Sequence, residues 1–217
     1  MTRSPNPPLP WRDAELQQTP SAEQIMGMPA VERRWTAREV RALIAENPLL
    51  TPRYELVDGE LLVTPSPGFG HQRAVARLLI ALGLYCERER VGTPLTSPFD
   101  VELEPETITQ PDIFVLSADE GHRLQHEGLP AFSLLLTVEV LSPSSSRHDR
   151  VRKRPLYQRN VPEYWIVDLD ARLFERWRRG EERPEIVDSS LEWRAEGATE
   201  PFVLDVERFF AEVTGQA

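Results

Sequence analysis

Ser133-Leu134-Leu135-Leu136-Thr137-Val138-Glu139-Val140-Leu141 is the stretch from which the rest of the chain is best read. It is apolar on both faces, as a central strand covered on each side would be. Yet Glu139 sits in its middle, and a carboxylate there is expensive unless it is paired, protonated or metal-bound. Upstream, Pro111-Asp112 places a second acid directly before another apolar run, Ile113 to Leu116. Two neighbouring strands would bring both carboxylates to one sheet edge. Two hard oxygen ligands completed by water suit Mg2+ or Mn2+ better than zinc.

Downstream of the acidic strand the charge reverses. After Ser142-Pro143-Ser144-Ser145-Ser146, the segment from Arg147 to Arg159 holds six Lys or Arg residues and one acid, Asp149. Cations and metal ligands can therefore converge on one phosphate, and a metal-held water with a lysine beside it is a common way to hydrolyse a phosphodiester.

Outward from this centre the elements follow from pattern. Thr36 with Glu39 is a capping box opening a short helix that ends near Asn47-Pro48. Tyr54 to Val63 reads as a hairpin turning at Asp58-Gly59. From His71 to about Arg90 the apolar residues recur at helical spacing, and Gly92-Thr93-Pro94 is expected to end that helix. Phe99 to Leu103 alternates like a strand, and Asp119 to Gly128 reads as a polar loop. Asp149 to Arg159 is expected to be helical, although Pro155 should kink or shorten that helix. Tyr164 to Asp168 is a further buried strand, Leu173 to Arg178 and Pro184 to Val187 form an outer hairpin, and Asp205 caps a last helix. The expected fold class is α/β (α+β mixed): a central mixed β-sheet flanked by helices, with an N-terminal hairpin and a C-terminal hairpin plus helix.

Length and composition bound these readings. The 217 residues suit one domain, 35–217, preceded by a proline-rich arm, 1–34, that reads as disordered or loosely docked. A single cysteine, Cys86, excludes an internal disulfide framework and a multi-cysteine zinc site. No apolar run is long enough to span a bilayer and the first residues lack a signal peptide's apolar stretch, so a cytoplasmic protein without membrane attachment is expected. The net charge of −10 is unusual for a nucleic-acid binder, which makes the basic segment after Arg147 the place to look for phosphate contacts.

Asp112, Glu139 and a following lysine resemble the PD-(D/E)XK nuclease constellation. More widely, YELVDGE, His71 opening a helix, QPDIFVL, VEVLSPSS, DRVRK with Tyr157, and VPEYWIVD resemble the Uma-type (Uma-two) family of restriction-endonuclease-like proteins, over roughly Trp35 to Asp168. The resemblance implies a restriction-endonuclease-like core and an Mg-dependent endodeoxyribonuclease. It implies a divalent ion held by Asp112 and Glu139 with help from the Val140 carbonyl, and Glu60 as a further acid, with Glu55 the less favoured substitute. Leu141 stands where the simplest motif has its lysine, so Lys153 would be supplied from the following helix. His71, Arg150 and Arg152 are the substrate-binding candidates, DNA the expected partner, and a homodimer the expected assembly. The competing reading is a catalytically idle nucleic-acid-binding or assembly protein that keeps the fold; a third is a hydrolase of other phosphate esters.

Each candidate has a plainer alternative. Glu139 can be a buried acid paired with an arginine, Asp112 a turn residue and Glu60 a solvated hairpin residue. His122 and His126 share an i, i+4 spacing, but their polar surroundings argue against zinc. Tyr164 and Trp165 read as core rather than as a base-stacking platform.

Overall fold

The computed structural model describes residues 33–47, 51–127, 133–142 and 146–215. The arm expected over 1–34 falls outside the described residues as far as position 32. The described chain opens with helix α1 (Ala37–Glu46), and both halves of the capping box are present: Glu39 N donates to Thr36 Oγ1 and Thr36 N to Glu39 Oε2. Strands β1 (Arg53–Val57) and β2 (Glu60–Thr64) form the expected hairpin. Asp58 (φ 52°) and Gly59 (φ 78°) both turn in the left-handed region, which suits the twist of a two-residue hairpin.

Helix α2 (Phe69–Glu89) buries Ala74, Leu78, Leu82 and Tyr85, the stripe that its periodicity foretold. A six-stranded mixed sheet follows, with β3 (Gly92–Thr96), β4 (Ile113–Ser117), β5 (Leu134–Val140), β6 (Glu163–Asp168), β7 (Leu173–Arg178) and β8 (Glu185–Val187) in that spatial order. Only β5 and β6 run parallel. The crossover between them carries a single turn, α4 (Ser146–His148), a π-helical turn (Asp149–Lys153) and α5 (Arg154–Asn160). Strands β9 (Ser190–Trp193) and β10 (Phe202–Asp205) make a second hairpin, and α6 (Val206–Thr214) closes the chain with Asp205 accepting from Arg208 N as its cap.

Helices cover both sheet faces. Leu136, Val138 and Val140 of β5 join the cluster under α2 and α6, while Tyr157 of α5 packs with Phe114, Tyr164 and Ile166 on the other side. Trp165 is fully buried against Phe174, Trp193 and Phe202, and Tyr164 is fully buried too, so both are core residues.

Four expectations change. Gly92-Thr93-Pro94 does not merely end a helix: Arg90 stops it in the left-handed region (φ 57°) and Gly92 begins β3, an edge strand where Pro94 is tolerated. Phe99 to Leu103 forms only the bridge Val101–Thr109, because the next partner in that register is Pro111, which has no N–H to donate. Ala118–Glu127 is a helix, α3, rather than a loop, its start helped by Ser117 Oγ accepting from Glu120 N. The hairpin of β9 and β10 had no recognised strand signal, yet Leu191, Trp193 and Phe202 enter the main core.

Candidate active site

The register of β4 against β5 builds the site. Ile113 faces Val138, so Asp112, one residue before β4, arrives beside Glu139. Glu139 lies on the face covered by α5 and is 1% exposed; Asp112 is 4% exposed.

Glu139 Oε1 accepts from Lys153 Nζ at 3.1 Å and from the Tyr157 hydroxyl at 3.0 Å, and Oε2 takes part in neither bond. Lys153, itself 2% exposed, also meets Glu55 Oε2 at 2.9 Å and Asp149 Oδ1 at 3.2 Å. Glu55 Oε1 accepts from Gln110 N at 2.8 Å, and the Leu56–Ile108 backbone pair fastens the same hairpin to the segment leading into Asp112. Asp112 is held separately: Oδ1 accepts from Arg53 Nη1 at 3.0 Å, and Oδ2 pairs with His71 Nε2 at 2.9 Å and accepts from Val140 N at 2.9 Å.

The π-helical turn answers the difficulty raised by Pro155. Arg154 N reaches back to Asp149 O, a wider turn than an α-helix makes, and Pro155 then falls in the first turn of α5 where no N–H is required. Asp149 and Lys153 both point inward from that turn and are buried.

These environments split the carboxylates. For Asp112, burial pushes upward, but the bond and charge of His71 and the charges of Arg53 and Lys153 outweigh it and hold the carboxyl at about 2. For Glu139, burial wins: against the pull of Lys153, and reinforced by Asp149, Asp112 and Glu55, it raises the carboxyl well above its ordinary value. Burial works against the Lys153 ammonium, but the three surrounding carboxylates raise it well above its usual range.

Several sequence candidates stand elsewhere than expected. Glu60 lies at the hairpin tip, 41% exposed and paired with Arg152 Nε at 2.8 Å. It shares a face with Glu55, but Glu55 pairs across to Leu62, one pair deeper, and so reaches Lys153 where Glu60 does not. The Val140 amide donates to Asp112 Oδ2. Arg150 is taken up by Glu175 and Asp168, tying the π-helical turn to β6 and β7. His71 is brought to the site, as the start of α2 allows. Glu55, the less favoured substitute for Glu60, joins the cluster, and Arg53 and Asp149 complete it beyond what the motifs outlined; the i, i+4 spacing of Asp149 and Lys153 was its one local signal. The rings of His122 and His126 lie tilted against each other on α3, their centroids 4.7 Å apart.

Four buried carboxylates (Glu55, Asp112, Glu139, Asp149) thus face two permanent cations, Arg53 and Lys153. That surplus of hard oxygen donors over cations fits a divalent ion. Among the described residues no three His, Cys, Asp or Glu side chains stand as a ready metal-ligand group. An ion here would accordingly rest on two carboxylates and water. A larger cavity of about 660 Å³, between the end of α2, β3 and α3, shares no residue with this cluster. Among the described residues no helix is long and apolar enough to cross a membrane.

The profile of the Uma2 family, described as "Putative restriction endonuclease", matches residues 43–207. A crystal structure described as a putative nuclease belonging to DUF820, from Anabaena variabilis ATCC 29413, superposes with a TM-score of 0.65. The match has 20% identity and covers 78% of this chain and 96% of that one. At that identity the likeness establishes the fold. No curated protein matches.

Proposed function

The chain belongs to the Uma2 family, and from that premise we propose that it is a metal-dependent endonuclease hydrolysing phosphodiester bonds in DNA. The observation that carries the reading is the surplus of buried carboxylate around Lys153. Asp112 and Glu139 would hold Mg2+ or Mn2+, with Glu55 close by in the position first given to Glu60. When bound, the ion supplies Lewis acidity and a water of lowered pKa. Arg53, His71 and the Val140 amide fix the orientation of Asp112, and Tyr157 holds Glu139 from the side of α5. Lys153, once its bond to Glu139 is shared, places its Nζ charge beside the attacking water and the developing negative charge on the phosphate. A cytoplasmic homodimer is the assembly we propose, since two copies suit the cutting of two strands.

The test is cleavage of plasmid DNA with Mg2+ or Mn2+, comparing the wild type with Glu139→Gln and Asp112→Asn. Loss of at least about a hundredfold in either variant is expected. Cleavage that survives both substitutions would point to a contaminant and remove the assignment.

One observation favours an idle binding or assembly protein instead: Lys153 is shared among three carboxylates, and both Asp112 oxygens are already bonded. Metal-linked stability separates the readings. Millimolar Mg2+ or Mn2+ should raise the wild-type melting temperature and leave Glu139→Gln unmoved; no shift together with no cleavage would favour the idle form.

A further inference from the structure

Helix α2 faces the core with Ala74, Leu78, Leu82 and Tyr85, and it turns a second apolar line the opposite way. Among the described residues the three most exposed large apolar side chains are Phe69 (80%), Leu84 (66%) and Ile80 (62%), and all three stand on this helix. With Arg73, Ala76 and Glu87 they form one stripe, its members four, three, four, four and three residues apart. At 3.6 residues per turn the six fall within about 40° either side of one line, opposite the buried face. That spacing is the seam along which two helices pack at a shallow angle. A solitary surface leucine needs no explanation, but a row of such side chains on one helix marks an interaction surface.

We propose that this stripe is where a second copy of the chain docks, the two α2 helices pairing antiparallel across a two-fold axis at Ile80. The inference rests on the homodimer reading given above and adds its surface and its symmetry. The occupant follows from the sequence on either side of Ile80. Four residues away stand Ala76 and Leu84, and seven residues away stand Arg73 and Glu87. In a two-fold pair Ile80 meets its own copy, the small Ala76 meets the partner's Leu84, and Arg73 meets the partner's Glu87, each unlike contact being made twice. Size and charge are thus complementary. A parallel pair would instead set Arg73 against the partner's Arg73 and Glu87 against the partner's Glu87, like charges facing each other. Among the described residues neither Arg73 nor Glu87 is held in an ion pair within the chain, whereas Arg77, on the flank of the stripe, is joined to Glu212 of α6 at 3.1 Å. His71, which bonds Asp112, lies in the first turn of α2, so antiparallel pairing carries the two acid clusters to opposite ends of the interface.

The test is sedimentation equilibrium of the full chain, without metal or DNA, over about 1 to 100 µM, since one helix from each copy makes a small interface of micromolar strength. The wild type should pass from monomer to dimer across that range. Ile80→Glu sets two carboxylates on the axis and should weaken dimerisation at least about tenfold. Its melting temperature at the dilute end should match the wild type's, because Ile80 lies outside the core. Glu87→Arg alone turns both ion pairs into facing arginines and should weaken dimerisation about tenfold; with Arg73→Glu added, association should return to within about threefold of the wild type. A dimer indifferent to Ile80→Glu overturns this interface and leaves the homodimer to another surface. A double substitution that restores nothing overturns the antiparallel pairing. A chain that stays monomeric throughout overturns the interface and the homodimer together. Plasmid cleavage tests the nuclease reading separately and is touched by none of these results.

Discussion

Glu139 and Asp112 lie side by side and respond to pH in opposite directions. Glu139 has its folded-state carboxyl raised, so the folded chain keeps a proton that the unfolded chain releases once pH passes the ordinary glutamate value. Its contribution to stability is complete below that value and falls as pH rises. Without metal, the melting temperature of Glu139→Gln should therefore rise relative to the wild type as pH increases towards neutral. The difference should vanish below pH 4. Asp112 is depressed from 3.8 to about 2, so its contribution is present above about pH 4 and lost as pH falls through 2. That is roughly 2 kcal/mol. Denaturant titrations of Asp112→Asn should show the deficit against wild type shrinking between pH 4 and 2; a constant deficit would mean that the Arg53 and His71 contacts contribute nothing through charge.

At the scale of elements, two local features position the site. The π-helical turn lets Asp149 and Lys153 both face inward while Pro155 begins α5, so one residue that looked like an obstacle marks where the wide turn ends. Glycine matters at β3: a Cβ on Gly92 would collide with the Leu116 carbonyl oxygen of β4, which is backbone and cannot swing aside. Gly92→Ala should cost about 1–3 kcal/mol in chemical denaturation. Gly180→Ala makes the control, since its turn is left-handed (φ 83°) but open, and only the smaller backbone cost of about 1 kcal/mol applies. Equal losses at the two positions would remove the steric argument.

For the whole molecule, the acid cluster is a fastening as well as a candidate active site. It joins the hairpin through Glu55, the approach to β4 through Asp112, the central strand through Glu139 and the crossover through Asp149 and Lys153. Glu55→Ala strips the buried Gln110 N–H of its acceptor and opens a cavity, and should cost about 2–4 kcal/mol. Glu60→Ala, on the same hairpin face, breaks only a half-exposed pair and should stay within about 0.5 kcal/mol. Similar losses in both would mean that the hairpin is held by its apolar side alone.

The sequence by itself determined the parts whose cause is local. Alternation and apolar runs gave β5 and β6, the capping box gave α1, and Asp58-Gly59 gave the hairpin turn. The cost of a carboxylate among leucines marked Glu139, and the family resemblance added Lys153. Tertiary structure alone decided which acid of the hairpin reaches that lysine. Glu55 and Glu60 share a face and a chemistry, and one pair of residues in the β1–β2 register separates burial from solvent. It also decided that Arg53 and His71 clasp Asp112. Those contacts join segments far apart in the chain, and nothing in a residue's own neighbourhood records how deep a distant strand will lie.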